Sequence, residues 1–232
     1  MRNKFLFGVL VFLLVISVIS IAIAESDKQK DKLERIDLIH YAKPENPGKP
    51  GKTETCYKLF GYNWKILPVS YVINPSNPQG LDEGFITSAI SASAKTWDLA
   101  TTSELFNNNY IINYSVNYGV FDYKNAIVFG DYPNDNVIAV TSYWRNPKTK
   151  ALVEFDILFN TRYAWGDATI NPELMDLQNI ATHELGHGVG LADLYSTFCS
   201  EVTMYGYSTY GETKERSLET ADITGLQAMY GA

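Results

Sequence analysis

The side chains best suited to chemistry lie in one stretch, Thr182-His183-Glu184-Leu185-Gly186-His187-Gly188-Val189-Gly190-Leu191-Ala192-Asp193. A helix turns about 100° per residue, so residues four apart share a face, and His183 and His187 would project together as a pair of imidazole ligands. Glu184 sits between them, placed to hold a water at the metal and take its proton rather than to bind the ion. Gly190 lets the helix stop through a conformation that favours glycine, and Asp193 then arrives with an oxygen ligand. Two imidazoles and one carboxylate leave a zinc position open for water, whereas structural zinc sites close with four protein ligands. The blander reading is a helix with two solvated histidines. The rival function is a non-catalytic extracellular binding module stabilised by a bound metal; Glu184 speaks against it, because a structural site needs no base.

These ligands need a scaffold. Asn171-Pro172-Glu173 combines a capping amide, a proline at the first helical position and an acid in the first turn, which predicts a metal helix over residues 172–189. On that helix Leu174, Ala181 and Leu185 would point away from the histidines into a core. A second long helix is predicted over 81–99, with Asp82 and Glu83 at its positive end and Trp97 in the core. Strands are predicted at 68–74, 110–118, 126–129, 137–144 and 152–159, the last two joined by the polar hairpin Asn146-Pro147-Lys148-Thr149-Lys150. A final helix, capped by Ser217 or Thr220, would carry Leu226 and Met229. Calcium could be held by the oxygens of Gly130-Asp131-Tyr132-Pro133-Asn134-Asp135-Asn136, but no complete calcium-loop pattern is present and a plain turn is the better reading.

The 232 residues carry 19 basic and 26 acidic side chains, a net charge of -7, and no basic block that would suit a nucleic-acid partner. Arg2 and Lys4 precede an apolar run closed by Ala22-Ile23-Ala24, so residues 1–24 read as a secretory signal peptide, the alternative being a membrane anchor through residues 5–23. The protein is thus expected to be secreted or extracellular, a monomer, and free of stable membrane association unless that segment stays uncleaved. In oxidising surroundings the two cysteines, Cys56 and Cys199, are expected to pair. Residues 25–52, charged and rich in Pro and Gly, read as a linker or short pro-segment. His40 falls there with no partner pattern, so solvent is its expected neighbour and it is given no metal role. The catalytic domain is expected over 53–232.

The spacing His183-Glu184-x-x-His187-x-x-Gly190-x-x-Asp193, then Val202-Thr203-Met204-Tyr205, then Leu218-Glu219-Thr220-Ala221-Asp222-Ile223-Thr224-Gly225-Leu226-Gln227-Ala228-Met229-Tyr230-Gly231, resembles the metzincin zinc endopeptidases, specifically the matrixin-like branch. The resemblance implies an α+β fold: a mixed, twisted sheet of about five strands with an antiparallel edge strand, two long helices and a C-terminal helix. It implies one catalytic zinc on His183, His187 and Asp193, Glu184 as general base, and Met204 as the methionine turn beneath the metal. It also implies a protein or peptide substrate lying along the edge strand at 137–144. Tyr205 and Tyr207 would wall a substrate pocket; in astacin-like relatives a tyrosine two beyond the methionine approaches the metal, but Gly206 stands there. Three departures follow. Matrixins usually have a third histidine where Asp193 stands, and a carboxylate in its place is expected to make the metal a weaker Lewis acid. No histidine lies between His40 and His183, so no second zinc is expected. Cys56, in Thr55-Cys56-Tyr57-Lys58, lacks the Arg-Cys-Gly setting of cysteine-switch latency.

Overall fold

The computed structural model describes residues 33–44 and 55–232. Met1–Glu34 and Arg35–Ala232 are separate units, and apart from Glu34, the first residue of a strand, only the second is treated below. The signal peptide expected at 1–24 lies outside the described residues, as do 25–32 and 45–54 of the expected linker.

The strands are β1 (Glu34–Ala42), β2 (Tyr71–Asn74), β3 (Ile111–Ile112), β4 (Asn125–Gly130), β5 (Val137–Asn146), β6 (Ala151–Asn160), β7 (Trp165–Gly166), β8 (Met175–Asp176) and β9 (Tyr207–Ser208). Between them run helices α1 (Glu83–Asp98), α2 (Leu177–Gly188) and α3 (Thr220–Tyr230). The main sheet has the order β3-β2-β4-β6-β5-β1-β9. β2, β4 and β6 are parallel, and β5 runs antiparallel to β6, with Thr141 opposite Ile157. The sheet is therefore mixed, as expected, but among the described residues it has seven strands because β1 and β9 extend it beyond β5, which is not the edge.

Side chains alternate across a strand, and the parallel strands β2, β4 and β6 carry apolar residues on both faces. Ile73, Ile127 and Ile157 face α1 and α2 in the main core with Ile86, Ile90, Ile180 and Leu185. Their neighbours Val72, Val128 and Leu158 form a smaller cluster with Val116 on the other face. The indole N–H of Trp97 donates to Thr182 O at 2.7 Å, bolting α1 to the helix that bears the histidines.

Two boundaries differ from expectation. The helix expected to begin at Pro172 begins at Leu177, capped by Asp176, whose carboxylate accepts from the Asn179 N–H at 2.8 Å. Asn171 does accept from Glu173 N, at 3.0 Å, but as a local Asx turn; the Met175 N–H then donates to Ala164 O at 2.7 Å, and that pairing draws the chain into β8. Leu174 therefore lies before the helix. The last helix is capped by Glu219, in a reciprocal capping box with Asp222, rather than by Ser217 or Thr220. Of the segment expected as a strand at 110–118, only Ile111–Ile112 pairs. In the loop at 130–136, Arg162 bridges Asp131 and Asp135 at 2.7 and 2.6 Å, so a guanidinium already neutralises both carboxylates.

Candidate metal centre

His183, Glu184 and His187 are buried on α2, whose close packing leaves little freedom for their backbone. After Val189 the chain turns at Gly190 with φ of +109°, and a Cβ there would meet Tyr62 O at 2.7 Å, so glycine is required. That turn returns Asp193 to the histidines: its Oδ1 lies 3.1 Å from His183 Nε2 and 3.3 Å from His187 Nε2, while the two Nε2 atoms are 3.1 Å apart. Gly206 borders the same carboxylate; a Cβ there would meet the Tyr195 ring at 2.4 Å and Asp193 Oδ1 at 3.0 Å.

The outer nitrogens fix which atoms face inward. His183 Nδ1–H donates to Thr203 O at 2.7 Å and His187 Nδ1–H to Leu191 O at 2.8 Å. A carbonyl can only accept, so in the neutral rings the proton sits on Nδ1 and Nε2 presents a lone pair. Two such lone pairs and a carboxylate oxygen converge with no donor among them. Four ligands at zinc distances define a tetrahedron with edges of about 3.3 Å, and the observed triangle matches three of its corners. Electrostatics agree: burial opposes charge on both partners, yet Asp193 raises His187 to about 9, and the two histidines draw the Asp193 carboxyl well below its usual range. The cluster favours an added cation, so these residues fit a zinc ion.

The methionine segment supports this arrangement from below. Met204 is fully buried, and its sulfur lies where a Cβ on Gly186 would fall, at 2.3 Å. Asp222, on α3, accepts from Thr203 N at 2.9 Å and Met204 N at 3.3 Å, so a carboxylate from the last helix holds the loop whose carbonyl orients His183. Tyr205 is buried against Leu194, Cys199 and Val202, whereas Tyr207, on β9, meets Tyr41 and Tyr195. Cys56 and Cys199 form the expected disulfide. It anchors the segment whose Lys58 O and Phe60 N bond Ala192 N and Gly190 O at 2.8 and 3.0 Å, around the turn leading to Asp193.

Glu184 is fully buried, and burial raises its carboxyl above the usual range. Its Oε2 accepts from the Thr141 hydroxyl on β5, while Oε1 has no hydrogen-bond partner.

One expectation is overturned here. His40 is not solvated: it lies on β1, is fully buried, and its ring centroid lies 3.8 Å from that of His183, tilted by 33°, with Nδ1 3.4 Å from Glu184 Oε1. Part of the segment read as a linker or short pro-segment pairs in the sheet, because Arg35-Ile36-Asp37-Leu38 alternates polar and apolar residues as a strand does. Thr141, Tyr195 and Asp222 were also not singled out. Tyr195, whose hydroxyl donates to Ile39 O at 3.2 Å, follows the metal motif by two residues and carried no spacing signal.

The family model for matrixin matches residues 63–231. Human neutrophil collagenase is 26% identical over 172 residues, 72% of this chain and 33% of the relative, so the chain spans about a third of the length of that curated relative. The match takes in α2, the turn to Asp193, Met204 and α3, and this chain belongs to the matrixin family of zinc metallopeptidases.

Proposed function

We propose that this protein is an exported zinc-dependent endopeptidase, with His183, His187 and Asp193 as the metal ligands and Glu184 as general base. The observation that carries it is the triangle of three inward lone pairs beside a buried carboxylate with one free oxygen. A zinc ion held there would supply Lewis acidity toward a peptide carbonyl and a water. Glu184 Oε1 takes the proton of the attacking water and returns it to the leaving amine, and a carboxyl shifted upward by burial suits both halves of that transfer. Thr141 orients the carboxylate through Oε2, leaving Oε1 as the proton carrier. Met204 packs beneath the metal helix, and Tyr207, in the cleft wall, borders the pocket for the residue after the scissile bond. The disulfide supports export, since such bonds persist in oxidising compartments.

The test is a comparison of the zinc-loaded chain with Glu184→Ala, each nicked with trypsin and then assayed on casein with trypsin inhibited. Activity should fall by about 10²–10⁴-fold while both forms keep one zinc. Zinc retention by both with cleavage by neither would instead support the binding module.

A further inference from the structure

The place expected for substrate is occupied by the chain itself. β1 lies directly beside β5, and its ends set the direction: Ala42 N donates to Asn136 O at 2.8 Å, and Asp37 Oδ1 accepts from the Ser142 hydroxyl at 2.6 Å. The strand therefore runs antiparallel to β5. On its other side it is parallel to β9, with Tyr41 opposite Tyr207 and Ala42 opposite Ser208. It fills the slot between β5 and the segment after Met204 with backbone pairing on both sides, as an added peptide strand would. Arg35 fastens its start, donating to Ser142 Oγ at 3.0 Å and Gly119 O at 3.2 Å.

At the metal centre the strand contributes one side chain. His40 is fully buried, and neither ring nitrogen has a hydrogen-bond partner. A buried imidazole with both nitrogens unsatisfied is costly unless something supplies a partner. One of those nitrogens lies within 4.8 Å of ligand atoms of both His183 and Glu184, against the free oxygen that a general base would turn toward water. The three-residue set alone leaves one corner of a tetrahedron open, and the His40 ring centroid lies 3.8 Å from that of His183, one of the three. β1 lies outside the matched residues 63–231, and its histidine has no counterpart in the metal motif.

We propose that β1 is an internal occupant of the substrate cleft and that His40 is the fourth ligand of the metal held by His183, His187 and Asp193, so that the intact chain is latent until residues 34–42 are displaced. The proposal rests on the zinc reading above. Four protein ligands leave no place for a water, and the backbone of β1 takes the hydrogen bonds a substrate strand would need. Cutting the chain between Pro44 and Cys56 would turn an intramolecular contact into a dissociable one, lowering its occupancy without touching the domain.

Cobalt in place of zinc tests this on the full-length chain. His40→Cys should add a thiolate-to-cobalt charge-transfer band in the near ultraviolet that the wild type lacks, since only a side chain touching the metal produces one. His40→Ala should let acetohydroxamate shift the cobalt visible spectrum, with the wild type unresponsive at the same concentration, and should raise casein cleavage by un-nicked protein about tenfold or more. Should His40→Ala not fold, His40→Cys alone decides. One cobalt per chain in every form, with no charge-transfer band and equal response to acetohydroxamate, overturns the proposal and leaves the three-ligand site standing. Cobalt binding by none of them overturns both.

Discussion

Two kinds of buried histidine meet at this centre. His183 and His187 reach it from a helix, and each is held by a second hydrogen bond from Nδ1 to a backbone carbonyl. His40 reaches it from a strand and has no such bond on either nitrogen. The first pair is preorganised, with ring orientation and tautomer set before any metal arrives; the third is held by its strand and by contact with the His183 ring and Glu184. The difference separates a resident machine from a removable part. A permanent ligand must be rigid, whereas a ligand that is to leave gains from depending on a strand that can detach.

The largest expected effect removes a member of the resident set. Asp193→Ala should abolish near-stoichiometric zinc in the purified protein, since it deletes a ligand and leaves two buried imidazoles to hold the ion; one zinc per chain after the change would remove Asp193 from the set. Next comes the disulfide, which closes a separation of 143 residues. Paired Cys56→Ser and Cys199→Ser should cost about 2–5 kcal/mol in urea denaturation, and a loss well below that would show the turn to Asp193 to be stable without its staple. A smaller effect is expected one layer out. Asp222→Ala frees the loop that orients His183 and should weaken zinc binding by about 10–100-fold in a chelator competition. If it matches the wild type, the preorganisation drawn for His183 does not depend on α3.

The smallest effect contrasts the centre with a second group of buried acids. Glu154 and Asp156 on β6 are buried and accept backbone N–H bonds from the segment around Gly119 and Asp122. Burial first, then their mutual repulsion, raises Glu154 to about 8; burial raises Asp156 to about 7. The folded state then binds protons more tightly than the unfolded chain. The contribution of these two carboxyls to stability should be fully present below pH 4 and be lost as pH rises toward 8. Glu154→Gln should flatten that decline in melting temperature between pH 5 and 8, and an unchanged slope would dismiss Glu154 as its source.

The helix faces, the turn at Gly190, the hairpin between β5 and β6, and the pairing of Cys56 with Cys199 were legible because each depends on short-range spacing or on there being two cysteines only. The start of α2 was misjudged because a capping signal and an Asx turn use the same bond, and pairing with Ala164 decided between them. Asp222 belongs to the C-terminal motif, but its role depends on Thr203, 19 residues away, reaching it in space.

The sequence by itself determined the two imidazoles on α2, the carboxylate ten residues beyond, and the glutamate between the histidines, since helical geometry converts spacing directly into a shared face. Only the tertiary structure decided where His40 goes. A strand's sequence specifies which residues alternate but not which partner strand it joins, and that choice is made by the open edge of β5, the segment after Met204 and the burial both offer.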